Sequence, residues 1–211
     1  MARVVASALM AGAGFGAVTA LVNAFSFRSQ DVESRAATVS GWSPVEIVSV
    51  LLDAGWAWAG LAVFMGWLVT RAEKSPFGVG ALVLGATAGA LALFAATAAY
   101  GVVEAAQEGG PVSSWYPSEN AIWWITSFVF GGPLGAVGAC ATRSGLIGLL
   151  GKTTVPVGAA VQMLVLPPGR NEVITTIGQV IVWAAAATAV GWAVVRFLAA
   201  GRRRARPGSA A

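Results

Sequence analysis

The sequence contains no histidine and only one cysteine, Cys140. Without imidazole there is no Ser-His-Asp triad, no usual zinc site and no histidine-ligated haem. A lone cysteine forms no intrachain disulfide. No Asp-rich DDxxD or NDxxD run occurs, so Mg²⁺-assisted ionisation of a pyrophosphate, as in membrane prenyltransferases, is not expected. No GxxxxGK[ST] loop occurs, which removes the P-loop enzymes. Neither a metal nor a cofactor is expected from this inventory. Charge is also scarce. Asp, Glu, Lys and Arg make up 10% of the 211 residues, against about a quarter in an average soluble domain.

What fills the chain is apolar. Hydrophobic residues account for 57% of it, and the mean hydropathy is +0.75. That composition belongs to an integral membrane protein. Six apolar stretches follow one another: Val4–Phe25, Val45–Thr70, Phe77–Val103, Ala121–Ala141, Leu146–Leu166 and Val173–Leu198. Each approaches the ~20 residues that cross ~30 Å of hydrocarbon as a helix. The expected fold is therefore an all-α, polytopic bundle of about six spans over residues 1–201, with no soluble domain. Residues 202–211 read as a basic, disordered, cytoplasmic tail. Its arginines directly follow a hydrophobic span, so they read as a topology anchor and not as a nucleic-acid patch. The first run reads as a retained helix, not a cleaved signal peptide. Lys152 and Pro156 interrupt the start of the fifth span. Either Lys152 snorkels to the interface or the helix begins later with a bent entry. Residues 26–44 form the longest connection and read as an amphipathic or re-entrant cap.

The charges are partitioned. With both termini on one side, that side collects Arg3, Arg71, Lys74, Arg143, Lys152, Arg196 and the tail arginines. Of the nine acids, all but Glu73 fall on the other side. Positive residues stay cytoplasmic. The expected location is thus the cell membrane, with both termini inside and the acidic loops outside. Small residues recur four apart at Gly12 and Gly16, Gly85 and Gly89, and Gly131 and Gly135, a spacing that lets helix backbones meet in lipid. Pro133 lies within the fourth span, where a proline frees a carbonyl and bends a helix.

Three of the outer acids have an aromatic residue one helical turn away, and these are the candidate catalytic groups. Asp53 lies seven residues beyond Glu46, about 10 Å deeper along a straight second helix. An ionisable group within a span is a functional hypothesis by default, and burial there would favour the neutral acid. Trp56, three residues on, would share its face, while Trp58 would point elsewhere. Glu104 ends the third span with Tyr100 one turn before it. Glu119 opens the fourth, followed by Trp123 and Trp124 and preceded by Trp115. Asn23 and Gln179 add polar groups from the first and sixth spans. The plainer reading is an interfacial belt of Trp and Tyr, with Glu119 placed against a helix dipole. Taken together, the residues describe an acid-and-aromatic chamber. A carboxylic acid serves as a proton donor, and tryptophan faces stabilise cations. That combination suits a metal-independent, protonation-initiated terpene cyclase fed with a lipophilic isoprenoid from the bilayer.

The size, the span count, Leu52-Asp53-Ala54-Gly55-Trp56 and the tryptophan-rich fourth helix with Gly131-Gly132-Pro133-Leu134-Gly135 resemble small actinobacterial membrane proteins. Some of these are membrane-bound terpene cyclases of indole-terpenoid and drimentine-type meroterpenoid pathways, which fold prenyl chains by protonation. The resemblance implies Asp53, Glu104 and Glu119 as acids and a prenylated, farnesyl-type substrate. The competing class is a small transporter, channel or accessory protein with an acidic outer vestibule. A through-path would need polar residues in the inner half, where Gln162 is nearly alone.

Overall fold

A computed structural model describes residues 2–32, 43–71, 78–109, 118–167 and 171–204. Among them are seven helices and no strands. They are α1 (Ala2–Val32), α2 (Pro44–Asp53), α3 (Gly55–Thr70), α4 (Val79–Glu108), α5 (Ser118–Ala141), α6 (Leu146–Val165) and α7 (Glu172–Arg204). Five of these are each long and apolar enough to cross a membrane, and the bent pair α2–α3 is so when its two helices count as one span. The chain is a polytopic helical bundle, as its apolar runs predict. Its outward faces carry large hydrophobic side chains such as Leu21, Phe25, Ile125 and Trp192, each more than half exposed. A water-soluble monomer does not display apolar surface on this scale.

Several boundaries differ from the sequence reading. The first helix runs on to Val32, so the first part of the expected cap over residues 26–44 is simply more of α1. Residues 33–42 lie outside the described set. The last helix continues to Arg204, so the start of the expected disordered tail is ordered helix; residues 205–211 lie outside the described set. The fifth span begins at Leu146 and is helical through both Lys152 and Pro156, with Lys152 exposed. Snorkelling, not a late start, accommodates that charge. α5 is likewise one helix through Pro133. At the far end of α4, Gly109 takes the left-handed conformation at φ 68° and stops the helix.

The second span departs most from a straight helix. Ala54 is extended (φ −65°, ψ 137°), and α2 and α3 meet there at 61°. Its residues explain the site of the break. Gly55 is a poor helix former. Asp53 is unfavourable at the negative C-terminal end of α2 but well placed just before the positive N-terminal end of α3. A break at membrane depth frees backbone groups that lipid cannot satisfy. Two bonds answer this: the Trp56 N–H donates to Gln162 Oε1 of α6 at 2.9 Å, and the Ala57 N–H donates to the Ala54 carbonyl at 2.9 Å.

The centre of the bundle is built from backbone in direct contact with backbone. α4 lies between α1 and α5, and α3 packs on α4 and α5. A Cβ placed on Gly16 would lie 2.0 Å from the Ala96 carbonyl oxygen, and one on Gly135 would lie 2.1 Å from that of Gly85. Cβ atoms on Gly12, Gly66, Gly89 and Gly131 would also lie within 2.8 Å of backbone, so the small-residue spacing does what it does in lipid: it lets helices touch. The α6–α7 hairpin sits to one side. It is tied internally by Gln179 Nε2 donating to the Met163 carbonyl and Trp183 Nε1 donating to that of Ala160.

Candidate functional site

Between α3, α4 and α5, below the break in the second span, lies a cavity of about 640 Å³. Its mouth carries two carboxylates, Asp53 and Glu104, from elements that the sequence keeps far apart. Glu108 stands one turn beyond Glu104, and the Glu104 charge feels both Asp53 and Glu108. The mouth is therefore anionic, a setting that favours a positive charge held just inside it.

Below the acids the wall is aromatic and then hydroxylic. Trp58 and Tyr100 line one side, their rings 6.1 Å apart in an edge arrangement. Phe15 of α1 meets the other edge of Trp58 at 5.4 Å and at right angles, which holds the indole upright. Trp123 and Phe130 line the opposite side, from α5. Both are more than half exposed, so the cavity opens sideways along the lipid-facing surface of that helix. Deeper down, Thr97 and Ser127 form a hydroxyl pair at 2.9 Å. Ser127 Oγ donates its proton to the Trp123 carbonyl, so within the pair Thr97 donates to Ser127.

The cavity ends at Leu93 and Leu134. Directly beneath them α4 and α5 touch at Gly89 and Gly135, where a Cβ on Gly89 would lie 2.7 Å from Gly135 Cα. The floor is closed by main chain. From Glu104 to Leu93 is eleven residues of α4, or about 16 Å at 1.5 Å per residue. The shape is a blind slot with acids at the mouth, aromatic walls and an aliphatic base.

Tyr100 is positioned from behind by a buried polar chain. Asn23 Nδ2 of α1 donates to Tyr100 Oη at 3.2 Å, and Ser49 Oγ of α2 donates to Asn23 Oδ1 at 2.5 Å. Ser49 is fully buried and Asn23 nearly so. Asn23 thus supports the wall instead of lining it.

The structure brings together Asp53, Glu104, Tyr100 and Trp123 of the predicted set. It separates the others for identifiable reasons. Trp56 is not in the cavity; it packs with Ala54, Ala159, Met163 and Val182 on the α6–α7 side. The extended Ala54 resets the helical phase, so Asp53 and Trp56 share no helix face and Trp58 takes the inward position. Trp124 turns to Phe94, 4.5 Å between ring centroids, and does not line the cavity. Gln179 belongs to the α6–α7 contact. Gln162 is not an inner-half polar group. It lies near the end of α6 beside the break, with its oxygen committed to Trp56. Asp53 is exposed at the mouth, and among the described acids Glu46, at 8% exposure, is the most buried. Trp115 and the side chain of Glu119 lie outside the described residues.

Trp58, Thr97, Ser127 and Phe130 were not expected at the site. The hydroxyls carried no visible signal, because serine and threonine in membrane helices routinely bond back to a carbonyl one turn earlier, as Thr19, Thr70 and Thr87 do here. No group of three or more potential metal ligands occurs among the described residues. No protein family, curated protein or solved structure matches the chain.

Proposed function

We propose that this protein is a membrane-embedded, metal-independent terpene cyclase acting on a lipophilic, prenylated substrate of farnesyl type. The observation that carries the reading is the blind slot with two carboxylates at the mouth and aromatic rings directly inside it. An isoprenoid dissolved in the bilayer enters sideways past Trp123 and Phe130 and lays its chain toward Leu93 and Leu134. Asp53 or Glu104, in its acid form, protonates an alkene or epoxide at the mouth. The carbocation lies against the faces of Trp58, Tyr100 and Trp123, within the field of the remaining carboxylate. Ring closure follows as π electrons of a neighbouring double bond attack the cation. Loss of a proton to the second carboxylate restores neutrality. The net change is an isomerisation, with no oxidant, reductant or metal consumed. The charge partition supports a location in the cell membrane with both termini in the cytoplasm, and in that orientation the mouth faces the outer half of the bilayer.

The test is direct. Membranes containing the protein are supplied with a farnesylated indole or diketopiperazine, and products of unchanged mass but altered retention are sought by mass spectrometry. The reading expects a cyclised isomer from the wild type and none from the Asp53→Ala/Glu104→Ala double variant. Unchanged substrate with the wild type, or product persisting in the double variant, refutes the assignment.

A second reading draws on the exposure of both carboxylates. A non-enzymatic accessory or transport protein could use the same mouth as a cation-attracting vestibule. The closed floor argues against conduction through this slot, and retention of an isoprenoid amine without conversion would favour simple binding.

A further inference from the structure

The opposite end of the molecule carries a second feature that the cyclase reading does not use. Between the start of α6 and the end of α7 lies a groove of about 840 Å³, lined by Arg143, Lys152, Arg196 and Arg202. No acid lines it among the described residues. Its remaining walls include Leu146, Leu149, Phe197 and Leu198, so cations and aliphatic surface alternate within one space. Three of the four cations, Lys152, Arg196 and Arg202, are exposed. Arg196 has its guanidinium 4.9 Å over the ring of Trp192, which orients it without neutralising it. Glu73, the single acid on this side, lies outside the described residues.

A topology anchor needs only positive charge near a helix end. It needs neither a groove nor apolar walls within it. Arg3 and Arg71 illustrate the simple case: both are exposed and neither lines this groove. Three exposed cations lining one groove, Lys152, Arg196 and Arg202, with no acid among its described lining residues, repel one another unless an anion sits among them. The interleaved leucines and phenylalanine require that the anion bring acyl chains. Free phosphate satisfies the first condition only, and a zwitterionic lipid brings acyl chains but carries its phosphate beside a compensating cation.

We propose that this groove is a binding site for an anionic phospholipid of the leaflet at the termini end. The headgroup phosphate sits among Lys152, Arg196 and Arg202, and the acyl chains run along Leu149 and Phe197. Arginine forks suit phosphate oxygens, and the Lys152 ammonium adds a mobile point charge. Basic pockets between membrane helices recognise anionic headgroups in this way. The site is independent of the cavity at the other end, so its failure leaves the cyclase reading untouched.

The experiment uses the full chain in neutral detergent, titrated with phosphatidylglycerol, phosphatidylcholine or inorganic phosphate and read by native mass spectrometry. The wild type should retain phosphatidylglycerol at least tenfold better than phosphatidylcholine. Inorganic phosphate at millimolar concentration should not displace it. Each neutralised cation weakens binding about fivefold, so the Lys152→Gln/Arg196→Gln/Arg202→Gln variant should lose phosphatidylglycerol about a hundredfold. The Arg3→Gln/Arg71→Gln variant, altered at the same end outside the groove, should bind like the wild type. Equal retention of the two lipids by the wild type overturns the proposal without reference to any variant. Displacement by millimolar phosphate overturns the lipid assignment. Equal losses in the two charge variants reduce the effect to general surface charge and also overturn it.

Discussion

Replacing Gln162 with methionine keeps the length of the side chain and removes its amide, the acceptor oxygen together with the NH2. That oxygen accepts the Trp56 N–H at 2.9 Å, at the start of α3. With methionine there, a main-chain donor in the interior of the bundle loses its acceptor. Lipid offers no substitute. A buried donor left unsatisfied costs about 1–3 kcal/mol. At this chain length each kcal/mol corresponds to about 2–4 °C in midpoint. The expected fall is therefore about 2–12 °C, read by thermal unfolding in detergent through the near-ultraviolet tryptophan signal. Hydrogen exchange over a peptide spanning residues 51–60 should lose protection at the same time. Gln162→Glu retains an acceptor oxygen and should keep that protection even if its charge lowers the midpoint. If the methionine variant melts with the wild type and its exchange is unchanged, Gln162 does not cap the broken span and the account given for the break is wrong.

Three other substitutions bear on the packing and the site. Gly135→Ala places a Cβ where 2.1 Å separates it from a main-chain oxygen; α4 and α5 must part, costing about 1–3 kcal/mol, whereas Gly14→Ala, with open space around it, should be neutral or stabilising in the same melt. Trp58→Ala should abolish most product formation, while Trp56→Phe should leave it intact, because the Trp56 indole lies outside the cavity and its Nε1 bonds to nothing among the described residues; the reverse order would invalidate the cavity assignment. Asn23→Leu removes the hydrogen bonds that Asn23 makes to Ser49 and Tyr100 and should lower stability by about 1–3 kcal/mol, with the Asn23→Leu/Ser49→Ala loss smaller than the sum of the two single-variant losses; strictly additive losses would show that the two side chains are not coupled.

The number of long apolar helices followed from run length alone, because lipid imposes that length on any chain, whereas the ends of the first and last helices lie beyond the apolar runs. Helix phase did not follow, and the site depends on phase. Reading Val45–Thr70 as one straight helix puts Asp53 deep and Trp56 beside it. The extended Ala54 makes both statements false at once: the acid moves to the mouth, and Trp58 moves inward. The signal was present in Asp53-Ala54-Gly55, a helix-ending acid followed by a weak helix former. Nothing in it reveals, though, that Gln162, more than a hundred residues later, supplies the missing acceptor. Adjacent Trp123 and Trp124 pose a similar problem. Their periodicity is equivalent, and only the position of Phe94 on the neighbouring helix decides which one lines the cavity. Asp53, Glu104, Tyr100 and Trp123 could be found because acids and aromatic rings at a bilayer edge are conspicuous. Thr97 and Ser127 could not, since nothing in the sequence shows that two hydroxyls 30 residues apart meet across neighbouring helices.

The floor of the slot has a consequence for what the cavity can evolve to hold. Where a pocket ends on side chains, trimming one of them deepens it. Here the base beneath Leu93 and Leu134 is peptide backbone at Gly89 and Gly135, each already reduced to hydrogen at its Cα. No point substitution can dig further without separating two helices. The depth is a fixed ruler of about 16 Å, adjustable downward by enlarging Leu93 or Leu134 and upward only by the volume of those two side chains. Diversification across related sequences should therefore run laterally, through Thr126 and Phe130 on the lipid-facing rim, and longer substrates should leave their excess length in the bilayer.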